Sequence, residues 1–311
     1  MATMKATREA FGEALAELGR VHPEVVVLDA DLSKSTRTEL FAKACPERFF
    51  EMGIQEMNMI GVAAGLALSG KVPFIASFAC FITGRFDQIK MSVSYSRAPV
   101  RIVGSHAGIG IGEDGYSQQG LEDVALMRVL PEMAVIQPCD DLETRGAVEY
   151  LIRHPGPAYL RLTRQKVPRI HKEGYVFQFG KGVVLRPGRD VTIVASGGVL
   201  ANALAAAETL AQEGIDARVV NIHTIKPLDE ELLETCARET GRIVTVEDHQ
   251  ITGGLGGAVC ECLAARYPVP VLRHGVRDVF GESGAPEDLY AKHGLDAAGI
   301  AAKVREAMRK R

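Results

Sequence analysis

Hydrophobic positions along the chain follow two alternating patterns, short uninterrupted apolar runs and longer stretches with helical spacing. Helical spacing is clear in residues 7–20, where Phe11, Leu15 and Leu18 fall on one face. Apolar runs that alternate with helices predict parallel strands covered on both faces, an α/β fold. In the first half of the chain the predicted strands are 25–30, 72–78, 100–106, 133–138 and 158–163, and the main helices are 55–69, 80–96 and 141–153.

Residues 165–190 interrupt this alternation with prolines, glycines and charges, which is typical of a connection between domains. A second α/β pattern follows, with predicted strands at 191–196, 217–223, 242–248 and 269–276 and helices at 199–213, 229–239 and 296–309. Because 311 residues exceed the usual size of one core, we expect two domains. The predicted boundaries are 1–170 for the first domain, 171–190 for a linker and 191–311 for the second domain.

The composition excludes several function classes. A formal charge of −3 and a pI near 6.3 give no general attraction to nucleic acid or to anionic lipid. No apolar run is long enough to span a membrane, and the first residues lack the apolar core of a signal peptide, so a cytoplasmic protein is expected. The six cysteines are scattered without a CxxC pair and are expected to be buried thiols rather than metal ligands or redox groups.

Two glycine-rich segments do not fit nucleotide-binding templates. Residues 105–115 (SHAGIGIGEDG) lack the GxGxxG spacing, and residues 252–259 (TGGLGGAV) match neither the dinucleotide nor the phosphate-loop pattern. We interpret the second segment as a tight turn between a strand and a helix.

Polar residues follow the ends of several predicted strands. They are Asp29, Asp31, Ser77, His106, Arg161 and Arg164. In open α/β sheets ligands collect at the carboxyl ends of the strands, so these side chains are the first candidates for a site.

Glu56 begins a predicted helix that is rich in small residues, and aromatic residues follow shortly after it. An acid in the first turn is favoured by the helix dipole, and small residues allow close packing, so structure alone could explain this segment. Phe78 and Phe81 lie three residues apart, which suits either core packing or a slot for a flat heterocycle.

A series of short motifs occurs in a recognisable order. They are ATREA (6–10), DADLSKS (29–35), GIQE (53–56), FACFITGRFDQ (78–88), SHAGIGIGEDG (105–115), TRQ (163–165), IKPLD (225–229) and VEDH (246–249). Each motif is weak alone, but in this order and spacing the chain resembles the C-terminal half of transketolases from about Lys5 to Met308. The resemblance implies a pyrimidine-binding domain of the thiamine-diphosphate type, followed by a smaller transketolase C-terminal domain.

The resemblance implies a thiamine diphosphate site. Glu56 matches the glutamate that bonds the aminopyrimidine and so activates C2 of the thiazolium, which is a catalytic role. Phe78 and Phe81 match the aromatic wall around the pyrimidine. Gln118 matches a polar residue near the cofactor, and Asp31 falls where an acid approaches the thiazolium.

The resemblance also implies a sugar-phosphate site. Arg8, Ser35, His106 and Arg164 match positions that hold the phosphate and hydroxyls, and His106 is expected to take part in catalysis. Asp114 matches an acid that contacts a donor hydroxyl. Taken singly, these residues could be a solvated arginine, a helix-capping serine, a strand-end histidine and a surface ion pair; taken together they favour a site. Arginine suits phosphate because its planar, permanently charged group offers paired donors.

One expected part of such an enzyme is missing from the sequence. Relatives hold the diphosphate through Mg²⁺ or Ca²⁺ bound by a GDG motif, and no GDG occurs here. We therefore expect the metal ligands on a separate N-terminal, diphosphate-binding transketolase subunit, in an α2β2 heterotetramer, with the helix after Glu56 as an interface. Animal-like relatives have arginine at the position of Gly84; whether the adjacent Arg85 reaches the same place stays open.

The expected reaction is transfer of a two-carbon ketol unit from a ketose phosphate to an aldose phosphate, as in the pentose phosphate pathway. The alternatives are the β subunit of a 2-oxoacid dehydrogenase E1 component, an enzyme like deoxyxylulose-phosphate synthase, and a non-catalytic regulatory or structural subunit. An enzyme like deoxyxylulose-phosphate synthase is less favoured, because that enzyme usually has arginine where this chain has His106. Donor scope would discriminate between the catalytic alternatives.

Overall fold

The apolar runs form strands in the computed structural model, which describes residues 3–309. In chain order the strands are β1 (Met4–Lys5), β2 (Val25–Asp29), β3 (Phe49–Glu51), β4 (Val72–Phe78), β5 (Arg101–Ser105), β6 (Ala134–Ile136), β7 (Ala158–Arg161), β8 (Val167–Pro168), β9 (Val183–Arg186), β10 (Val191–Ala195), β11 (Ala217–Asn221), β12 (Thr224–Lys226), β13 (Ile243–Gln250) and β14 (Val271–Val276).

Helices separate most of these strands. They are α1 (Thr7–Gly19), α2 (Ser33–Thr36), α3 (Glu39–Ala44), α4 (Glu56–Leu68), α5 (Ala79–Thr83), α6 (Phe86–Gln88), α7 (Asp123–Val129), α8 (Asp141–Arg153), α9 (Leu200–Gln212), α10 (Glu230–Thr240), α11 (Leu255–Arg266), α12 (Pro286–His293) and α13 (Ala297–Arg309), with a π-helical segment at Ile89–Tyr95. The turn at residues 251–254 between β13 and α11 confirms the interpretation of the second glycine-rich segment.

The first sheet has seven strands in the order β12-β6-β7-β5-β4-β2-β3. All neighbouring strands are parallel except β12, which comes from the second half of the chain and pairs antiparallel with β6. Every residue of β2 and β5 is buried, as expected for strands covered by helices on both faces. β12 therefore joins the second half of the chain to the edge of the first sheet.

The second sheet has five strands in the order β14-β13-β10-β11-β9. β9 pairs antiparallel with β11 at its edge, and it lies within residues 171–190, which the sequence predicted to be a linker. That boundary is corrected here: the second unit includes β9 and so begins before residue 191. The sequence hid this strand because it is short, half-exposed and flanked by glycine and proline. The predicted α/β fold class is confirmed for both units.

The helix predicted over 80–96 is wrong as a single element. α5 ends at Thr83, and Gly84 and Arg85 separate it from α6 and the π-helical segment. Arg85 has φ −95° and ψ 42°, which lies outside the helical region. Glycine is a poor helix former, so a break at Gly84 has a local cause.

Two further features concern the whole described chain. Within residues 3–309 no helix combines the length and the apolar character that a membrane span requires. All six cysteines are free; four are buried, whereas Cys80 and Cys260 are partly exposed. Burial raises the pKa of the Cys80 thiol to about 12, which suits the packing role predicted for these cysteines.

Candidate functional site

The site forms where β2, β4 and β5 end next to one another. Because these three strands are parallel neighbours, their carboxyl ends lie at one edge of the sheet. Asp31 follows β2, Phe78 ends β4 and His106 follows β5. The strand-end rule thus brings residues from three separate motifs to one place.

Glu56 is the first residue of α4 and is buried, with 5% of its surface exposed. The Ser77 hydroxyl, near the end of β4, donates a hydrogen bond of 3.1 Å to its Oε1. Its second oxygen, Oε2, accepts no hydrogen bond from any residue of the described chain. A buried carboxylate with one committed oxygen and one available oxygen can bind a ligand nitrogen.

Three flat side chains form a stack that includes Phe78, the residue after Ser77. The Phe78 and Phe81 ring centroids lie 5.5 Å apart with nearly parallel planes, and the Phe78 and His106 centroids lie 3.8 Å apart. Phe78 and His106 are buried and Phe81 is partly exposed, so the stack has an open end. We call Phe78, Phe81 and His106 the aromatic stack. Its shape suits a planar heterocycle, although the rings also pack against one another.

Hydrogen bonds link Glu56 to the phosphate-binding candidates through the strand ends. The Ser105 hydroxyl lies 3.3 Å from the Ser77 carbonyl oxygen and 2.8 Å from His106 Nδ1. His106 Nε2 lies 3.3 Å from a guanidinium nitrogen of Arg8. Because arginine can only donate, Nε2 accepts and Nδ1 carries the proton. His106 Nδ1–H then donates a hydrogen bond to the Ser105 hydroxyl, and this hydroxyl donates to the Ser77 carbonyl oxygen. These hydrogen bonds fix the neutral imidazole in one tautomer.

His106 also occupies an unusual backbone conformation, with φ +56°. Positive φ in a residue other than glycine is uncommon and occurs often at functional sites. Burial, together with Arg8 and Arg164, lowers the pKa of His106 to about 3. The imidazole therefore stays neutral at physiological pH and can accept a hydrogen bond from a substrate or from Arg8.

Replacing His106 by glutamine is expected to make the fold less sensitive to mild acid. Between pH 6.5 and about 3 the unfolded chain protonates this histidine and the folded chain does not, so its contribution to stability is lost as the pH falls. From pH 7 to pH 5 the wild type should lose about 2 kcal/mol more than His106→Gln. Urea unfolding of both proteins at the two pH values measures this. Equal losses would mean that His106 does not cause the effect.

Two arginines, Arg8 and Arg164, lie close enough to His106 to lower its pKa. Arg8 donates to the Ser35 carbonyl oxygen at 2.6 Å, and its buried Nε has no partner among the described residues. Arg164 donates to the Ile111 carbonyl oxygen at 2.8 Å and pairs with Glu113 at 3.4 Å. Burial lowers the pKa of Arg8, and Arg164 lowers it further. We call Arg8, His106 and Arg164 the candidate phosphate site, because two neighbouring guanidinium groups can bind an anion.

Sequence reasoning missed how the segment that carries Asp31 and Ser35 is held. The buried Asp29 carboxylate accepts hydrogen bonds from the Leu32 amide at 2.7 Å and from the Thr36 and Thr38 hydroxyls at 2.7 and 2.8 Å. Burial raises the pKa of Asp29 to about 6. Asp29 thus shapes the segment between β2 and α3. Threonines seven and nine residues after a strand-end acid were the signal in the sequence.

The remaining predicted residues, Asp31, Gln118 and Asp114, do not join the hydrogen bonds of the site. Asp31 is exposed at φ +62°, with its amide donating to Glu51 at 2.7 Å. Gln118 is partly exposed and its carbonyl oxygen accepts from Cys80. Asp114 is exposed, and its carboxylate contacts no hydrogen-bond donor of the described chain. All three side chains face solvent at least in part and are free to meet a ligand.

One group of potential metal ligands exists among residues 3–309. Cys139, Asp140 and His171 offer ligand atoms within 4.8 Å of one another. However, the Asp140 oxygens already accept hydrogen bonds from the amides of Glu143, Ile170 and His171. A thiolate is also a poor ligand for Mg²⁺ or Ca²⁺, which prefer oxygen. This cluster is structural and does not fit the metal that a diphosphate needs.

Comparisons with known proteins match two family models and several relatives. A family model described as transketolase, pyrimidine binding domain, matches residues 3–169, and one described as transketolase, C-terminal domain, matches residues 180–300. A putative transketolase C-terminal section from Methanocaldococcus jannaschii is 46% identical over 98% of this chain and 97% of its own length. The 6-deoxy-6-sulfo-D-fructose transketolase subunit SqwH from a Clostridium species is 44% identical over 94% of this chain and 91% of its own length. A solved chain described as a split gene transketolase, inactive beta4 tetramer, is 52% identical with a TM-score of 0.91, covering 97% of this chain and 98% of that one.

Proposed function

The chain belongs to the transketolase family, and we propose that it is the C-terminal subunit of a two-subunit transketolase that depends on thiamine diphosphate. In this proposal the complex transfers a two-carbon ketol unit from a ketose phosphate to an aldose phosphate. The observation that carries the proposal is the continuous set of contacts from Glu56 through Ser77 and Ser105 to the candidate phosphate site. One edge of the sheet thereby offers both a cofactor-activating acid and an anion site.

The described residues fit the pyrimidine end of thiamine diphosphate. Bound thiamine diphosphate supplies a thiazolium whose C2 reacts with a ketose carbonyl. Glu56 would hold the aminopyrimidine nitrogen through its available oxygen, while Ser77 orients the carboxylate. Phe78 and Phe81 would cover the ring, and Gln118 and Asp31 would contact the cofactor from partly exposed positions. His106, as a neutral acceptor, would bind a substrate hydroxyl and help to move its proton.

The diphosphate end has no counterpart among these residues, so we assign the Mg²⁺ or Ca²⁺ ligands to an N-terminal partner subunit in an α2β2 assembly. The relatives described as a C-terminal section and as a split gene protein support this assignment.

An unpaired apolar surface next to Glu56 supports the partner as well. Apart from Glu56 and Asn58, α4 carries only apolar residues and glycines, and no charged residue follows Glu56 before Lys71. Met59, Ile60 and Ala63 are buried in the core, while the other side of the helix is exposed. A helix that is apolar all round is normally covered on all sides. We call the exposed apolar residues of this region the subunit face: Ile54, Met57, Val62, Leu68, Met91 and Tyr95.

Two arginines, one serine and one exposed acid define the proposed substrate. Arg8 and Arg164 would bind the phosphate or another terminal anion of a sugar, and Ser35 would contact the same group. Asp114 would contact a donor hydroxyl and so influence sugar stereochemistry. The name of the Clostridium relative, a sulfo-sugar transketolase subunit, supports a ketose with an anionic end.

Arg164→Ala in the reconstituted complex is expected to raise KM for xylulose 5-phosphate by about 10- to 100-fold, the size of a lost hydrogen bond to a charged group. Its kcat should change much less, because the interaction is with the non-reacting end of the sugar. Steady-state kinetics with varied donor measure this, with Lys166→Ala as a control at an exposed neighbouring cation. An unchanged KM would place Arg164 outside the candidate phosphate site.

The second candidate is a 2-oxoacid dehydrogenase E1 β subunit, which also pairs with a diphosphate-binding chain. Two arginines beside His106 favour a phosphorylated sugar over a short 2-oxoacid. The test supplies the complex with xylulose 5-phosphate and ribose 5-phosphate in one assay and with pyruvate in another. Ketol transfer supports the proposal, whereas pyruvate decarboxylation without ketol transfer would overturn it.

A further inference from the structure

The second domain supplies a buried carboxylate that contacts the loop after His106. Asp248 lies in β13, and its Oδ1 accepts a hydrogen bond of 2.8 Å from the Ile109 amide. Its Oδ2 accepts a longer one, 3.4 Å, from the Gly110 amide. Gly108 has φ +82°, and a Cβ there would overlap the Asp248 carboxylate. The loop of residues 107–111 is therefore shaped around a side chain of the other domain.

Two routes lead from Asp248 to Arg164. On the first route, Ile111 follows the two bonded amides, and its carbonyl oxygen accepts from Arg164 at 2.8 Å. On the second route, the Tyr290 hydroxyl donates to Asp248 Oδ2 at 2.8 Å, and Gln165 donates to Tyr290 at 2.7 Å. Gln165 is the residue next to Arg164. Asp248 thus fixes both the acceptor of the arginine and its chain neighbour.

Asp248 is itself held firmly. The buried Arg161 guanidinium donates to its backbone oxygen at 3.0 Å and forms an ion pair with the buried Asp123 of the first domain. Removing one group of such a buried network leaves other polar groups without hydrogen-bond partners, which has a large cost in folding free energy. Within residues 3–309 the Ile109 amide donates to no acceptor other than Asp248.

We propose that Asp248 is a positioning residue through which the second domain orients Arg164 for binding the substrate's phosphate. This rests on the function proposed above. A residue that acts through Arg164 should affect binding of a phosphorylated donor and leave an unphosphorylated donor almost unaffected. A general loss of folding would instead lower the active fraction equally with both donors.

The experiment compares wild type, Asp248→Ala, Asp248→Asn and Tyr290→Phe, each reconstituted with the N-terminal subunit. The donors are xylulose 5-phosphate and hydroxypyruvate, which carries the ketol unit without phosphate. Asp248→Ala should raise KM for xylulose 5-phosphate about tenfold, with kcat within about threefold and KM for hydroxypyruvate within about twofold. Two milder variants should each raise KM for xylulose 5-phosphate by less. Asp248→Asn keeps one acceptor oxygen, and Tyr290→Phe breaks only one of the two routes.

Glu247→Gln is the matched control. Glu247 is a buried carboxylate one position earlier in β13, and it accepts from the amides of Leu255 and Gly256 within its own domain. The Glu247→Gln variant should be less stable than wild type but should show the same ratio of KM for xylulose 5-phosphate to KM for hydroxypyruvate. Two results would overturn the positioning role alone. One is an equal KM for xylulose 5-phosphate in wild type and Asp248→Ala, and the other is a Glu247→Gln variant whose ratio of the two KM values rises as much as that of Asp248→Ala. A wild-type complex without ketol transfer would overturn the proposed function and this role with it.

Discussion

Glu56→Ala in the reconstituted complex is expected to slow exchange of the thiazolium C2 proton of bound thiamine diphosphate by about 10²- to 10⁴-fold, the usual contribution of a positioned proton partner. The carboxylate is buried at the start of α4, and Ser77 holds one oxygen while the other stays available. Without it, nothing at this position can share a proton with the aminopyrimidine. Deuterium exchange at C2, followed by NMR after rapid acid quench, measures the effect before any sugar is added.

Three variants separate this role from the packing role that the sequence also allowed. Glu56→Gln keeps the shape and the acceptor for Ser77 but cannot share a proton, so it should be nearly as slow as alanine. Ser77→Ala keeps the acid and loses only its orientation, so its exchange should fall by less than about tenfold. Glu230→Ala removes a first-turn acid from α10, far along the chain, and should leave exchange unchanged. Near-normal exchange in Glu56→Ala would remove Glu56 from the proposed role.

The parts of the fold that could be predicted are those with a strong local signal. β2, β4, β5 and β10 are apolar runs, almost wholly buried, with polar residues at their ends, and each lies within one residue of its predicted bounds. β12 was missed because it is stabilised by pairing with β6, from the other half of the chain, and its three residues carry no pattern of their own. The short edge strand β9 was missed for a similar reason.

The candidate site likewise has a part that could be predicted from the sequence and a part that could not. Glu56, Phe78 and His106 could be placed together because the ends of parallel strands meet and the motifs resemble a family. The contact of Asp248 with Ile109 joins residues 139 positions apart, and no periodicity reports such a pair. The VEDH motif contains two acids. In the structure the Glu247 carboxylate accepts hydrogen bonds from amides of its own domain, whereas the Asp248 carboxylate also accepts one from the Ile109 amide of the first domain. The site is therefore predictable where strand order brings residues together and not where one domain contacts the other.

The purified chain alone is expected to bind thiamine diphosphate weakly and to show no ketol transfer, and activity should appear when an N-terminal subunit carrying GDG is added. In the proposed function the described residues contact the pyrimidine and the sugar phosphate, and the ligands of the metal lie on the partner. A diphosphate is usually bound through a divalent cation that carboxylates also coordinate, so a chain without those carboxylates should hold the cofactor poorly. Titration of the chain with the partner, followed by calorimetry and by turnover, measures both effects; robust turnover by the chain alone would contradict the two-subunit proposal.

The same titration tests where the partner binds. Val62 lies in the middle of α4 on the subunit face, 38% exposed, and Val62→Glu would place an unpaired charge in a covered apolar interface. Such a charge costs about 3–5 kcal/mol, so the partner's Kd should rise by more than about 100-fold and activity should be lost at subunit concentrations that saturate the wild type. Val176→Glu makes the same change at a residue that is 71% exposed outside this face and should leave assembly intact. If the chain alone forms homo-oligomers that Val62→Glu dissociates, a second copy covers the face when the partner is absent, and adding partner to the wild type should convert those oligomers to the active complex. Unchanged assembly and activity in Val62→Glu would place the partner elsewhere and leave the apolar side of α4 unexplained.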